Sequence, residues 1–318
     1  MTRVASDGLR AVAAEARATE ALPARDVGAA ATLACLLEAS APKPGNVSPG
    51  RHFADARYED FLASAAAIGP SLGAADQRSL GATILRAMED TGRWTRSNTN
   101  LGIVLLLAPL ARAALLARRL VDPGVDQRDV LRESVRRELA ATTVADARDL
   151  YAAIRRANPG GLGSAPAQDV AGEPTVTLLA AMRLAADRDG IAYEYHTAFE
   201  TVFTVGAPAL DRARQDGLAW DDAVTETFLT VLAAAPDTHV MRRAGAERAA
   251  EVSGYARAAL DAGGVRTDDG RRVVARMDAA LRDARNLDNP GTTADLTAAS
   301  IFVVLLGGGW RARPETTR

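Results

Sequence analysis

Two apolar segments constrain the fold of this chain more than any other feature of its sequence. Residues 101–119 are nearly all apolar, and residues 292–306 form a second apolar stretch. A helix that is apolar on every side belongs in the centre of a helical bundle. The run 101–111 (LGIVLLLAPLA) is too short to span a bilayer and contains Pro109. The two segments therefore predict two buried helices at the centre of a soluble helical bundle.

The composition supports an all-α fold. Alanine, leucine and arginine dominate, aromatic residues make up 4% of the chain, and the β-branched alternation of strands is nearly absent. We therefore expect a single multi-helix globular bundle at residues 26–310, preceded by a polar helical lead at 1–25 and followed by a tail at 311–318. The 318 residues are enough for a substantial core.

Charge and cysteine content exclude several classes of function. The net charge of -2 gives no electrostatic reason to expect nucleic acid or an anionic membrane as a partner. Cys35 is the only cysteine, so no disulfide framework or cysteine zinc site is expected. The N-terminus lacks the layout of a signal peptide, which predicts a cytoplasmic protein. The sequence leaves a homo-oligomer open.

The remaining periodic segments predict a series of amphipathic helices separated by polar breaks. They lie at 27–39, 58–68, 80–90, 126–138, 144–157, 176–186, 196–205, 221–234, 237–260 and 271–285. Residues 158–174 are rich in glycine and proline, and they either divide two subdomains or form a loop over a site. No strand precedes this stretch, so a Rossmann or P-loop nucleotide site is excluded.

Residues 38–52 (EASAPKPGNVSPGRH) form a rigid turn between two helices. Prolines and glycines interrupt it, so neither helix can continue through. It offers acidic, cationic, amide and imidazole groups, namely Glu38, Lys43, Asn46, Arg51 and His52. Lys43 is the only lysine of the chain, and a compact ammonium group suits a phosphate oxygen. The alternative is a helix-terminating loop whose lysine is solvated.

Three helices begin with unusually polar segments, at 97–100, 237–238 and 289–295. Such residues ordinarily cap the free N–H groups of a first turn. If these helix starts converge, they also make an anion site, where Asp237 and Asp295 hold Mg²⁺ beside a polyphosphate. Asp187 and Asp189 form either a second acidic site or a solvated turn. His239 has too few ligand types around it to predict zinc.

Four segments carry a resemblance to a known family. Residues 38–46 (EASAPKPGN), 98–102 (NTNLG), 237–245 (DTHVMRRAG) and 289–296 (NPGTTADL) resemble, in order, the motifs of the triphosphoribosyl-dephospho-CoA synthase family. The likeness extends over roughly residues 30–306. The segments 38–46 and 289–296 together are fairly specific, whereas either one alone is weak.

The sequence departs from the family pattern at several positions. Leu101 replaces a lysine, Asn100 replaces a histidine, and Arg243-Ala244-Gly245 replaces Arg-Gly-Gly. This form resembles a divergent branch found in archaea and in some one-carbon-metabolising bacteria, associated by similarity with tetrahydromethanopterin-linked pathways. The loss of a candidate phosphate-binding lysine leaves the exact nucleotide donor or acceptor open.

The resemblance implies a magnesium-dependent enzyme that uses ATP as a glycosyl donor. The 2′-hydroxyl of 3′-dephospho-CoA would attack the anomeric carbon of the ATP ribose, and adenine would leave. The implied roles concern four groups of residues. Lys43 and Arg51 would bind phosphate, and ribose or phosphate would be bound by Asn46, Asn98 and Asn100. Mg²⁺ would be bound, or the proton accepted, by Glu38, Asp237 and Asp295, with His239 as the alternative proton carrier. The nucleotide site would be completed by His52, Asp187, Asp189 and Arg243.

Two other functions remain open at this point. The same pocket could take a different acceptor, an intermediate of tetrahydromethanopterin or methanofuran biosynthesis. Alternatively, the chain could be a non-catalytic helical partner protein that retains the scaffold, for which the replacement of the lysine by Leu101 is the best argument.

Overall fold

The computed structural model describes residues 24–117, 127–160, 163–282 and 285–310. These ranges contain α-helices and short turns of other helices, with one isolated β-bridge between Ser48 and Arg51 and no strand. In chain order the helices are α1 (Ala24–Ser40), α2 (Tyr58–Gly73), α3 (Leu80–Thr91), α4 (Leu101–Ala117), α5 (Gln127–Ala140), α6 (Val144–Ala157), α7 (Leu178–Arg183), α8 (Gly190–Thr197), α9 (Ala207–Gln215), α10 (Trp220–Ala234), α11 (Thr238–Ala244), α12 (Ala246–Asp261), α13 (Asp268–Ala280) and α14 (Gly291–Leu306). The predicted all-α class is confirmed.

The predicted lead at 1–25 and tail at 311–318 lie outside the described residues, apart from Ala24 and Arg25, which begin α1. The end of the apolar segment beyond residue 117 also lies outside them. No helix in the described ranges is long and apolar enough to cross a membrane.

The two apolar segments occupy the centre, as their composition predicts. Most residues of α4 and α14 are buried, and both helices belong to the larger hydrophobic core. Pro109 lies inside α4 and cannot donate to the carbonyl of Leu105, four residues earlier. The hydroxyl of the buried Tyr195 donates to that carbonyl at 2.6 Å. A side chain from α8 therefore satisfies the acceptor that the proline leaves open inside the core.

Helix α2 continues past the position where the sequence predicted its end. The pattern placed the end near Gly69 and Pro70, but α2 runs to Gly73. The side of the helix that carries Pro70 is exposed, so the missing N–H costs one hydrogen bond without a buried clash. Close packing against α1 holds the helix, since a Cβ on Gly28 would overlap the carbonyl oxygen of Gly69.

Two predicted helices are interrupted in the structure. The segment 196–205 contains a break at Ala198 and Phe199, whose φ angles of 52° and 62° are left-handed, so His196 lies in the last turn of α8. The segment 237–260 is divided between α11 and α12 at Gly245, whose φ is 97°. The sequence also gave no indication of α9. Apolar spacing continues across such breaks, and the spacing therefore does not reveal them.

A second, smaller hydrophobic cluster joins α10, α11, α12 and α13 beside the larger core. The stretch between α6 and α7 is tied down by hydrogen bonds, including one from the Tyr151 hydroxyl to the carbonyl of Gln168. The larger core includes residues on both sides of this stretch, such as Leu150 and Leu178.

Candidate active site

The starts of α8, α11 and α14 meet at one place in the fold. The backbone N–H of Gly190 donates to Thr238 Oγ1 at 3.0 Å, and that hydroxyl lies 3.1 Å from Thr292 Oγ1. A Cβ on Gly190 would lie 3.0 Å from the Thr292 methyl group, so the glycine permits the close approach of α8 and α14. Two of the three polar helix starts that the sequence singled out, those of α11 and α14, therefore lie in contact.

Asp237 joins two of these helix starts, and each of its two carboxylate oxygens accepts two hydrogen bonds. Its Oδ1 accepts from the N–H groups of His239 and Val240 at 2.8 and 3.0 Å, as an N-cap does. Its Oδ2 accepts from the N–H and the hydroxyl of Thr293, both at 2.7 Å. The side chain thus caps α11 and holds the first turn of α14 against it.

Asp295 is the one carboxylate of this region that nothing holds. Within the described ranges it makes no hydrogen bond or ion pair, although it is only partly exposed. A Cβ on Gly102 would overlap Asp295 Oδ2, so the carboxylate rests directly on the first turn of α4. This contact brings a fourth helix start, that of the 98–102 segment, into the site.

Burial raises the pKa of Asp295 well above the usual range of an aspartate, and neighbouring charges add to the effect. The charged neighbours, in order of influence, are Glu38, Asp237 and Asp189, which raise the pKa, and Arg242, which lowers it. Glu38, Asp237 and Asp189, all predicted as site residues from the sequence, therefore act electrostatically on a fourth predicted residue, Asp295. Strong perturbation by burial together with specific charges is typical of functional carboxylates.

Lys43 is buried and forms an ion pair with Glu38, with Nζ 3.0 Å from Oε1. It also donates to the backbone carbonyls of Glu38 and Ala41, the latter at 3.3 Å. The solvated-lysine interpretation is therefore wrong, because all three N–H donors have protein acceptors. The pair fixes the Glu38 carboxylate near Asp295. Burial raises the pKa of the Cys35 thiol, and the charges of Glu38 and Asp295 add to the effect.

His239 is fixed in one tautomer. Its Nδ1 lies 3.0 Å from the carbonyl oxygen of Asn289, which can only accept, so Nδ1 carries the proton and Nε2 keeps its lone pair. Burial lowers the pKa of the imidazole, against the opposing charge of Asp237. A Cβ on Gly291 would lie 2.7 Å from Nδ1, so the glycine leaves room for the ring. The arrangement suits a neutral proton acceptor.

Asp189 and Arg242, the remaining charged neighbours of Asp295, form an ion pair with each other. Asp189 caps α8 by accepting from Ile191 and Ala192 at 3.0 Å each, and its other oxygen lies 3.5 Å from Arg242 Nη1. The Nε of Arg242 is buried without a hydrogen-bond partner. Arg243, which the sequence singled out, instead donates to the carbonyl of Arg285 at 2.8 Å.

Three buried asparagine side chains each keep one polar atom without a partner: Asn46 Nδ2, Asn100 Oδ1 and Asn289 Oδ1. Asn100 is otherwise anchored, because its Nδ2 donates to Thr91 Oγ1 at 3.1 Å. Buried amides normally satisfy all their polar atoms, so three exceptions in the segments that carry the family motifs indicate groups free to bind a ligand.

The other predicted residues lie at the rim or have local partners. Arg51 forms an ion pair with Asp278, and the exposed His52 accepts from the N–H of Tyr58 at 3.1 Å. The exposed Asn98 accepts from the N–H of Leu101 at 3.2 Å and so caps α4. Asp187 is exposed in the turn before α8, as the solvated-turn alternative expects.

Three residues of the site were missed from the sequence: Gly102, Arg242 and Asn289. Gly102 is a poor helix former in the first turn of an otherwise apolar helix, which is a usable sign of close approach. Arg242 and Asn289 lie inside the recognised segments, but nothing in their spacing separates them from their neighbours.

The described part of the chain is thus all-helical, and several polar helix starts meet around the carboxylate of Asp295, which accepts no hydrogen bond there. The family model of CitG, described as ATP:dephospho-CoA triphosphoribosyl transferase, matches residues 24–314. This chain therefore belongs to the ATP:dephospho-CoA triphosphoribosyl transferase family, whose substrate is ATP.

Individual relatives agree with this assignment. The chain is 34% identical over 120 residues to a 2-(5''-triphosphoribosyl)-3'-dephosphocoenzyme-A synthase of Pseudomonas fluorescens, covering 38% of this chain and 40% of that protein. It is 36% identical over 124 residues to the protein of the same name from Pseudomonas aeruginosa, covering 38% and 42%. The match thus spans less than half of these relatives.

A solved structure extends the similarity over most of the fold. The crystal structure of an Archaeoglobus fulgidus protein, described as a triphosphoribosyl-dephospho-CoA synthase, superposes with a TM-score of 0.59 at 28% identity. The match covers 79% of this chain and 100% of that one. The bundle described above is therefore the fold of this family.

Proposed function

We propose that this protein transfers the triphosphoribosyl group of ATP to the 2′-hydroxyl of 3′-dephospho-CoA and releases adenine. The observation that carries the proposal is the open carboxylate of Asp295, against which the recognised segments converge in a chain that matches the family from residue 24 to residue 314. The raised pKa favours the neutral carboxyl in the free protein, whereas positive charge that develops at a ribose carbon as its base departs favours the ionised form. The carboxylate in turn stabilises that charge.

His239 is the residue we assign to the proton of the acceptor. The O–H bond of the 2′-hydroxyl breaks, its proton moves to Nε2, and the oxygen forms a new bond to the anomeric carbon. The bond from that carbon to the adenine nitrogen breaks, and adenine leaves after taking a proton from solvent. The hydrogen bond from Nδ1 to Asn289 and the lowered pKa keep Nε2 ready to accept.

Asp237 has a supporting role in this proposal. Its four accepted hydrogen bonds hold His239 and the start of α14 in place, which leaves it no free oxygen lone pair for a metal. Glu38, held by Lys43, adds negative charge beside Asp295.

The site fits Mg²⁺ that arrives with ATP. Within the described residues no group of three or more His, Cys, Asp or Glu side chains can hold a metal ion by itself. Mg²⁺ bound with a nucleotide usually takes only one or two carboxylates, and Asp295 and Glu38 would supply them here. When bound, the ion would neutralise the triphosphate and draw it against the site.

The triphosphate would meet cationic and amide groups. The first turns of α4 and α14 present the positive ends of long helices. Arg242 has a buried Nε without a partner, and Asn46 and Asn100 each have a free amide atom. We assign these groups, with Arg243 at the edge, to the phosphates and ribose.

The experiment that tests the proposal measures adenine by chromatography after incubation of the protein with ATP and Mg²⁺, with and without 3′-dephospho-CoA. We expect adenine only when both are present, and none after EDTA is added. If ATP raises the Tm but no adenine forms, dephospho-CoA is the wrong acceptor, and tetrahydromethanopterin or methanofuran precursors should then be tried. If ATP changes neither signal, the chain is a non-catalytic partner.

A further inference from the structure

The loop between α1 and α2 carries Lys43 and Asn46 but forms no regular helix. Gly45, at its sharpest point, has φ 73° and fits closely against α13 and the start of α14. A Cβ on Gly45 would lie 3.0 Å from Leu281 Cβ and 3.3 Å from Pro290 Cδ. The position of this loop therefore depends on residues more than 200 positions later in the chain.

Asp278, a buried residue of α13, is the main polar contact of this loop. Its Oδ1 accepts from the backbone N–H of Gly45 at 2.9 Å, and its Oδ2 forms an ion pair with Arg51. One carboxylate thus holds both arms of the loop. Hydrogen bonds to an ionised acceptor are among the stronger ones in proteins.

Arg282, one turn later, completes the attachment. Its Nε and Nη2 lie 3.0 and 2.8 Å from the two oxygens of Asp278, and Nη2 also donates to the carbonyl of Asn46 at 2.8 Å. The Arg282 side chain is 28% exposed, and this burial lowers the pKa of its guanidinium.

We propose that Asp278, with Arg282, is a positioning residue for the nucleotide site. The two side chains hold the 41–52 loop, which carries Lys43 and the unpaired Nδ2 of Asn46, so that Gly45 lies against Pro290. The carbonyl of the preceding residue, Asn289, orients His239. Asp278 touches no substrate; it acts through Gly45, Asn46 and Arg51. This inference rests on the proposed function for the identity of the ligand, which is a nucleoside triphosphate.

The test compares Asp278→Asn and Asp278→Ala with Asp269→Asn in the full chain. Asp269 lies on the same helix and forms an exposed ion pair with Arg272, away from the loop, so Asp269→Asn is the matched control. We expect KM for ATP to rise about tenfold in Asp278→Asn and further in Asp278→Ala, with kcat within about threefold of the wild type. Asp269→Asn should leave both constants unchanged.

A purely structural role predicts a different pattern. Loss of folded protein lowers the maximal rate and the Tm without changing KM, and that result would overturn the inference. Hydrogen exchange gives a second readout that needs no activity. The amides of residues 41–52 should exchange faster in Asp278→Asn than in the wild type, whereas those of α4 should not change.

Failure of the proposed function can be separated from failure of this inference. If the wild type binds ATP without releasing adenine, the Kd for ATP in the three variants replaces KM as the measure, and the same tenfold difference is expected. If the wild type binds no ATP, the proposed function is wrong. Unchanged exchange of residues 41–52 in Asp278→Asn would then overturn the role of Asp278 in holding the loop.

Discussion

Asp295 and Glu194 are two deeply placed carboxylates whose surroundings differ in one respect. Burial is the largest cause that raises the pKa of each. Glu194 is buried at 0% exposure, but its oxygens accept from the N–H groups of Thr201 and Val202 at 3.1 and 3.0 Å. Asp295 accepts no hydrogen bond from the described residues and lies among other acidic groups.

The difference separates a structural carboxylate from a functional one. Glu194 bridges the left-handed break at Ala198 and Phe199 and caps the helical segment that follows, so its burial is offset by the bonds it accepts. Burial also disfavours the charged form of Asp295, but no accepted hydrogen bond offsets that cost. A protein keeps such a group where binding or catalysis needs it.

Replacement of each carboxylate by its amide should have opposite effects on the two regions, and these are the largest effects that we expect. In Asp295→Asn we expect adenine release to fall by about 10²–10³-fold, because the carboxylate that stabilises the developing positive charge is lost. We expect Tm to rise, because a buried ionisable group without a hydrogen-bond partner is removed. In Glu194→Gln we expect Tm to fall, from a loss of about 1–3 kcal/mol, because the new NH₂ faces a backbone N–H. Its adenine release should stay within about threefold of the wild type.

Thermal unfolding and adenine release, measured on both proteins at the same pH, check these opposite trends. The comparison fails if Asp295→Asn is both less stable and active, or if Glu194→Gln is stable and inactive.

One histidine from each of the two regions gives the next largest expected effect: His239 of the candidate site and His196, which lies close to Glu194 in α8. His239→Asn keeps a donor for the Asn289 carbonyl but removes the Nε2 lone pair, so kcat should fall by about 10²-fold with little change in the Tm. His196, exposed in the last turn of α8 near Glu194, provides the matched change His196→Asn, for which no loss is expected. Equal rates for the two variants would remove His239 from the proton transfer.

A third prediction concerns the glycine under Asp295. Gly102→Ala places a methyl group where Oδ2 now lies, so the carboxylate must move, and we expect about a tenfold loss of kcat/KM and a cost of about 1–3 kcal/mol in stability. Gly254→Ala is the matched control, because its Cβ would meet only Arg257 Nη2, at 3.9 Å, within α12. That change should be neutral or stabilising. Full activity in Gly102→Ala would show that the position of Asp295 is unimportant.

The smallest expected effect is on the pH dependence of stability. The pKa of Asp295 is raised on folding, so between the unfolded value of about 3.9 and the higher folded value the native state binds more protons than the unfolded state. Stability therefore falls as pH rises through that window. In Asp295→Asn the fall should be shallower, and Glu194, whose pKa is also raised, accounts for part of what remains. Tm measured from pH 4 upward checks the two slopes; identical slopes would contradict the raised pKa of Asp295.

Much of the fold could be predicted because its causes are local. The apolar composition of α4 and α14 and the spacing of α6 and α10 predicted these elements closely. The misplaced boundaries lie where contacts that the apolar spacing does not reveal intervene. The N–H groups of Thr201 and Val202 bind Glu194, so the chain turns at residue 198 although its apolar spacing continues.

The site was predictable in its residue types but not in its pairings. The segments around Lys43, Asp237 and Asp295 were recognised, yet the sequence could not show that Lys43 pairs with Glu38 or that Asp237 caps two helices while Asp295 stays open. Capping and ligand binding use the same side chains, so composition alone cannot distinguish them.

By itself the sequence determined the helical class, the places where helices cannot continue and the four segments that carry the family motifs. Each of these depends on contacts among residues a few positions apart, which side-chain type and spacing largely decide. The tertiary structure decided which polar groups are satisfied and which remain free. That choice depends on partners such as Gly45 and Asp278, 233 positions apart, which only the packing of helices on one another brings within 2.9 Å.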